Sequence, residues 1–349
     1  MTATRPRDLL TDGLLGQLGG TGERASGQPG VLAADIARLA GAGYLNVALP
    51  PEFGGLGCTL RQAACGQRRL ARHAPRTALA VSAHLSWTGA AADAYRAGDN
   101  SVRWILAEAS GGALFAGGHG EAGGDLRFAD PRSRCEPSAD GGYQFLDPGA
   151  LATMTPGWDW IAVHAVHSAR SASSARSARG QARPQCVIAF AGRGARCSQA
   201  FRVARAQQAG ALADVFTTSA LTWGHSILAS VQYSDARRAF NAAITAAAEA
   251  ATPADVARHA EPGSPNGPGS PVGRWPAAEA GALLDAMKAR IAEVTHPWQL
   301  VQAPAPDLGG QHLIGLHAMR HEVAEGAAHV HGLIAQITGA PAPASPLVP

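Results

Sequence analysis

Apolar positions recur near every 3.6 residues through much of the chain, a spacing that predicts helices. Val31, Leu32, Ile36, Leu39 and Ala40 mark one over 31–42, and further segments fall at 59–73, 77–96 and 101–110. Thr59 and Ser101 stand where N-caps belong, and Trp104, Ile105 and Glu108 follow Ser101 at helical spacing. From about 112 the pattern changes. The short runs ALFAGG, GYQFLD, DWIAVHAV and QCVIAFAG are separated by glycine, proline and polar clusters, which predicts strands. Helix returns at about 235 with DARRAFNAAITAAAEAA, then AAEAGALLDAMKARIAEV and LHAMRHEVAEGAAHVHGLIAQI. The order of helices, strands and helices predicts an α+β chain that is mainly helical.

Between the first two of these helices lies LNVALPPEFGGLGCTL, Leu45 to Leu60. Pro50 stops a helix, Pro51 biases Pro50 toward extended backbone, and Gly54, Gly55 and Gly57 permit a positive φ. The segment reads as a shaped bend rather than a slack linker. Two other segments read as loops: 168–183, which is serine, alanine and arginine apart from one glycine and one glutamine, and the Gly/Pro/Ser connector at 261–276.

The 349 residues exceed what one compact core usually holds, so two or three packed units are expected. A formal charge of +3 is too mild to imply a nucleic-acid partner. No apolar run reaches the roughly 18 to 20 residues that span a bilayer. The N-terminus, MTATRPRDLLTDGLLGQLGG, has no apolar core of a secretory signal. The five cysteines, Cys58, Cys65, Cys135, Cys186 and Cys197, are odd in number and form no C-x-x-C pair, which fits thiols in a reducing cytoplasm. Thirteen histidines raise the question of a metal. His317 and His321 share a helix face, with His312, His329 and His331 nearby, but the H-E-x-x-H order is absent and no metal is expected.

Four stretches, in order along the chain, resemble the acyl-CoA dehydrogenase family of flavoproteins. PPEFGGLG resembles the family's Pro-Glu-Glu-Tyr-Gly-Gly-x-Gly bend between early helices. FAGGHGEAGGDL, Phe115 to Leu126, is similar to the loop that opens the family's β-domain around a Glu-Pro-Gly segment. DGGYQFLDPGALATMTPGWDW matches a third landmark without a gap at Gly141, Gly142, Tyr143, Thr153, Pro156, Gly157, Asp159 and Trp160. Near the end, HEVAEGAAHVHGLIAQITGAPAPASPL resembles a helix followed by Gly-Gly and Pro-Leu.

The resemblance implies an N-terminal helical domain (1–111), a central β-barrel-like domain (112–232) and a shortened C-terminal helical bundle (233–349), with FAD as cofactor. It places Gly118, His119 and Gly120 in one flavin loop and Leu151, Ala152 and Thr153 in the other, with the Thr153 hydroxyl as a donor. There are departures. Asp147 and Gly149 replace the family's Gly and Lys, and Leu151 replaces its aromatic residue. GALADVF, Gly210 to Phe216, keeps only the first glycine of Gly-Met-Arg-x-Thr-x-Ser, with Leu212 and Phe216 at the Arg and Ser positions.

Removing an α-proton from an acyl thioester takes a desolvated carboxylate. The family carries it either beyond the segment matched by PASPLVP or on the first bundle helix, and no Asp or Glu occurs here from Val215 to Ser234. Glu249, Glu322 and Glu325 read as solvated helix faces, so no catalytic residue is assigned. Oxygen-using members of the same fold dispense with the carboxylate. The resemblance therefore implies an FAD-dependent oxidoreductase acting on an acyl thioester, such as an acyl-CoA, or a related small organic or aromatic substrate. The alternative is a catalytically degenerate homologue that serves as a structural or regulatory partner of an active paralogue. Assembly as a homo- or hetero-oligomer through the C-terminal helices, without nucleic acid or membrane, is expected in either case.

Overall fold

The computed structural model describes residues 5–19, 29–117, 134–137, 143–145, 157–167, 186–192, 211–250, 271–296, 298 and 310–338. They fall into two compact units, one drawn from 1–27, 58–82 and 222–349 and the other from 28–57 and 83–221. Helices α1 (Pro6–Leu9), α2 (Asp12–Leu15), α3 (Pro29–Gly41), α4 (Leu60–His73), α5 (Pro75–Arg96) and α6 (Arg103–Ser110) precede the strands. The strands are β1 (Phe115–Gly117), β2 (Arg134–Pro137), β3 (Tyr143–Phe145), β4 (Trp160–His167) and β5 (Cys186–Gly192). Helices α7 (Ala211–Ala250), α8 (Pro271–Thr295) and α9 (Gly310–Thr338) follow.

The cap predicted at Thr59 is present. Its Oγ1 accepts the Gln62 N–H at 3.3 Å while Gln62 Oε1 accepts the Thr59 N–H at 2.9 Å, a reciprocal capping box that starts α4. The cap predicted at Ser101 is corrected. Asp99 accepts the Ser101 N–H at 2.9 Å and opens a 3₁₀ turn over Asn100–Val102, from which α6 continues. A carboxylate accepts a backbone N–H more strongly than a hydroxyl does, so the acid two residues earlier takes the role.

The bend from Leu45 to Gly57 contains two short 3₁₀ turns, Tyr44–Asn46 and Pro51–Phe53. Gly54 closes the second with φ of 78°, where a side chain would be strained. Gly55 meets a different constraint, since a Cβ there would collide with the carbonyl oxygens of Leu49 and Asn46. The Gly57 N–H then donates to Leu49 O at 2.7 Å and draws the bend shut. Phe53 is buried edge-on against Tyr95, 5.4 Å between centroids, with the Arg103 guanidinium over its ring.

All four predicted strands form, and β2 is an addition. Its sequence, RCEP, lacks apolar alternation and ends in proline, so nothing local announces it. β4 organises the sheet. One of its edges carries β1 in parallel at its start (Phe115↔Trp160) and β2 in parallel at its end (Cys135↔His167), and the other carries β5 antiparallel. β3 pairs with β2 antiparallel.

The helix predicted from about 235 begins at Ala211. Nearly every residue from Ser219 to Asp235 is buried, serines and threonines included, so α7 has no polar stripe there and gives no 3.6-residue signal. The connector predicted to run to 276 gives way to helix at Pro271. The segment 168–183 lies outside the described residues. In the first unit, α8 and α9 pack along each other with Leu284, Met287, Ile291, Leu316, Met319 and Val323 buried. Gly326 lets α9 approach Met287, whose sulfur would lie 3.0 Å from an added Cβ. Cys65 is an exposed free thiol, and Cys58 is buried. Among the described residues no helix is long and apolar enough to cross a membrane.

Candidate functional site

The six positions assigned to the flavin loops, Gly118, His119, Gly120, Leu151, Ala152 and Thr153, lie outside the described residues. The chain on either side of them is described. β1 ends at Gly117, the residue before Gly118, and β4 starts at Trp160, seven residues after Thr153. The two strands are neighbours in register.

Asp159 fixes that register. Its Oδ2 accepts the Leu114 N–H at 2.9 Å, while Leu114 O accepts the N–H groups of Asp159 at 2.9 Å and Trp160 at 3.0 Å. The acid quoted in the PGWDW motif thus closes a ring of backbone bonds between the two stems.

His84, on α5, supports β1 from its other edge and was not singled out by the sequence. Its Nδ1 accepts the Phe115 N–H at 3.3 Å, which leaves the proton on Nε2 to be donated to Leu45 O at 3.1 Å. The ring is buried, and burial pushes its pKa down to about 4, against the Leu45 hydrogen bond that favours the charged form. At neutral pH it is therefore an uncharged bridge, not a proton carrier.

Around these stems lies an aromatic layer. Trp104 meets Trp160 at 5.1 Å, Phe190 at 5.5 Å and Phe115 at 6.1 Å between centroids, and Trp87 meets Phe190 at 5.2 Å. Trp160 donates its indole N–H to Glu108 at 3.3 Å. Phe216, at the position where the resembled motif has serine, stacks on Trp87 at 6.2 Å and 27°, so a polar contact is replaced by packing. Phe115 and Phe190 are buried in a core against which the partly buried Trp104 and Trp160 pack, so the described residues fit a flavin only in placing apolar rings around the strand ends next to the assigned loops. The loops that would donate hydrogen bonds are not among them.

The candidate carboxylates lie on α7 and α9. Glu249 is exposed, Glu322 pairs with Arg290 at 2.8 Å, and Glu325 pairs with His321 at 3.1 Å, as solvated helix faces do. Asp235 is buried but held by Arg238 at 2.9 Å. The bundle histidines are divided among separate partners. The His317 ring packs edge-on against His225 at 4.9 Å, His312 bonds Thr222 at 3.0 Å beneath Trp298, and His329 pairs with Glu279 at 3.3 Å. Among the described residues no group of three or more His, Cys, Asp or Glu is arranged to hold a metal ion.

No family model and no curated protein sequence matches the chain. Solved structures do. Dibenzothiophene monooxygenase (TdsC) from Paenibacillus sp. A11-2 matches at a TM-score of 0.63 and 17% identity, over 96% of this chain and 86% of that one. Nitrososynthase from Micromonospora carbonacea var. africana matches at 0.63 and 18%, over 96% and 86%. XiaF from Streptomyces sp., in complex with FADH2 and glycerol, matches at 0.59 and 14%, over 96% and 84%. At these identities the likeness is one of fold, and the expected architecture is the one found: the chain has the acyl-CoA dehydrogenase fold, at low sequence identity to these solved structures.

Proposed function

We propose that the chain is a flavin-dependent oxidoreductase of the oxygen-using kind, with FAD held by the loops at Gly118–Gly120 and Leu151–Thr153, acting on a small organic substrate. The observation that carries this reading is the make-up of α7. From Val215 to Ser234 it has no carboxylate, and its buried polar side chains there are Ser219, Thr222, His225, Ser226, Ser230, Gln232 and Ser234. α-Proton abstraction from an acyl thioester lacks its base on that helix, whereas oxygenation does not depend on one. Solved relatives of the same fold include a dibenzothiophene monooxygenase and a nitrososynthase, which supports the same choice.

A bound flavin would supply electron transfer and, once reduced, the activation of dioxygen. The chain's own residues do the holding. Asp159 and His84 keep the stems of the two loops in place, and the aromatic layer excludes water behind them. Backbone groups at 118–120 and the Thr153 hydroxyl would orient the ring.

Purified protein titrated with FAD and with FMN tests the reading. A flavin absorption band that stays with the protein through gel filtration, and is not bleached anaerobically by acyl-CoA, is the expected result. Bleaching by acyl-CoA without added reductant would return the reaction to thioester dehydrogenation. The second reading, a degenerate partner subunit, is favoured by Phe216, which is committed to packing on Trp87. Colourless protein that retains neither flavin would establish that reading instead.

A further inference from the structure

We propose that the outer face of α4 is a docking surface for an acidic partner protein, one that presents glutamates or aspartates at helical spacing to the arginine row Arg61, Arg68 and Arg72. This surface is independent of the flavin reading above.

Between Glu52 and Asp93 the chain carries no acidic residue and five arginines, Arg61, Arg68, Arg69, Arg72 and Arg76. Arg61, Cys65, Arg68 and Arg72 recur at intervals of three or four residues along α4, so they line one face. The opposite face packs into the core, with Leu60, Ala63, Ala64, Gln67, Leu70 and Ala71 buried. Two of the arginines are held by the fold: Arg68 donates to Ser230 Oγ at 3.2 Å, and Arg69 pairs with Asp12 at 2.7 Å. Arg61, Arg72 and Arg76 are exposed and pair with no carboxylate among the described residues.

Helix electrostatics oppose this arrangement. Arg61 lies in the first turn of α4, at the positive end of the helix dipole, where an anion is favoured and a cation is not. Arg68 and Arg72 are four residues apart and Arg69 and Arg72 three, spacings at which like charges repel. Arg72, at the other end of the helix, gains from the dipole, but Arg61 gains nothing from its own helix. A row of anions laid along the face would offset both repulsions.

The chemistry of the row selects its occupant. From Arg61 to Arg72 it runs roughly 16 Å, at the helical rise per residue. Guanidinium groups take carboxylates through paired N–H···O bonds, and carboxylates four, seven and eleven residues along a partner helix repeat the same rise. No Phe, Tyr or Trp occurs from Leu60 to Arg76, so nucleic-acid bases have nothing to stack on. The apolar face of α4 is already buried and is not free to enter a lipid surface.

The probe is a fluorescein-labelled, alanine-based helical peptide with glutamates at i, i+4, i+7 and i+11, titrated with the full chain by fluorescence anisotropy at low salt and again with added NaCl. Arg61→Gln with Arg72→Gln removes two exposed charges from the row, and Arg103→Gln with Lys288→Gln removes the same charge elsewhere on the surface. Wild type is expected to bind, more weakly as salt rises, and R61Q/R72Q to bind about fivefold more weakly, while R103Q/K288Q binds as wild type does. R61Q alone is expected to unfold at a temperature no lower than wild type, since it takes a cation from the positive end of α4. A lowered unfolding temperature for R61Q would show that Arg61 serves the fold and overturns the proposal. Wild type that ignores the peptide, or R61Q/R72Q that binds it as wild type does, overturns it too. So does equal binding of a peptide with the same glutamates bunched at one end. Single-stranded DNA or phosphatidylserine vesicles bound more tightly than the peptide, with the same loss in R61Q/R72Q, would give the face to a different occupant and refute an acidic protein.

Discussion

Asp159 accepts the backbone N–H of Leu114 at 2.9 Å while its own N–H donates to the Leu114 carbonyl, also at 2.9 Å. This reciprocal pair sits at the entry to β1 and β4 and sets the alignment of Phe115 with Trp160. Replacing Asp159 with Ala leaves the half-buried Leu114 N–H without its charged acceptor, at a cost of about 1.5 to 3 kcal/mol. Asp159→Asn keeps an acceptor oxygen and should lose less. Urea denaturation of the three proteins checks the order, and D159A as stable as wild type would remove Asp159 from its assigned role.

Acid should weaken the fold through His84. Its folded pKa of about 4 lies below the ordinary value of 6.5, so between those values the unfolded chain takes up a proton that the folded chain refuses. Stability is full above about pH 6.5 and falls as pH drops toward about 4, by about 3 kcal/mol from this residue. His312 and His331, both pushed down by burial, add in the same direction. H84Q removes one of these groups, so its stability should depend less on pH over that window. Equal acid slopes in wild type and H84Q, measured by denaturant melts at stepped pH, would contradict the assignment.

The bend discriminates between two glycines. Gly55→Ala drives a methyl into the carbonyls of Leu49 and Asn46 and should cost about 3 kcal/mol. Gly54→Ala meets no crowding, only a φ of 78°, and should cost about 1 to 2 kcal/mol. Thermal unfolding of both variants ranks them. The reverse order would mean that the bend's shape is set by its torsions and not by the close approach at Gly55.

Ser226 Oγ is buried on α7 with no hydrogen-bond partner among the described residues. Desolvating that hydroxyl without a partner destabilises the folded state, so Ser226→Ala should be neutral or stabilising by about 1 kcal/mol. A clear loss of stability on this substitution would indicate a bond to the hydroxyl.

Glu249, Glu322 and Glu325 should be dispensable. Glu322→Gln loses the exposed pair with Arg290 and should change stability by less than about 1 kcal/mol, and Glu249→Gln and Glu325→Gln by less still. Flavin affinity should be unchanged in all three. A carboxylate among them whose loss abolished turnover without unfolding would reopen the search for a base.

The motifs and the bend were legible because their reasons are local. Thr59 and Gln62 cap each other three residues apart, prolines and glycines mark the bend, and runs such as DWIAVHAV alternate enough to declare a strand. Ser101 misled because the competing cap, Asp99, lies two residues away and binds more strongly. The two flavin loops are proposed from sequence likeness alone, and what the structure adds is the bonding of the strands on either side.

By itself the sequence determined the order of helices and strands, the bend, and the lack of a carboxylate between Val215 and Ser234, all properties of residues close to one another along the chain. Only the tertiary structure decided what His84 and Asp159 do, because each acts on backbone supplied by segments distant in sequence. The same holds for the early start of α7 and for β2. A helix enclosed on every side has no polar face to reveal its period, and a strand of polar residues is made by its partners in the sheet rather than by its own composition.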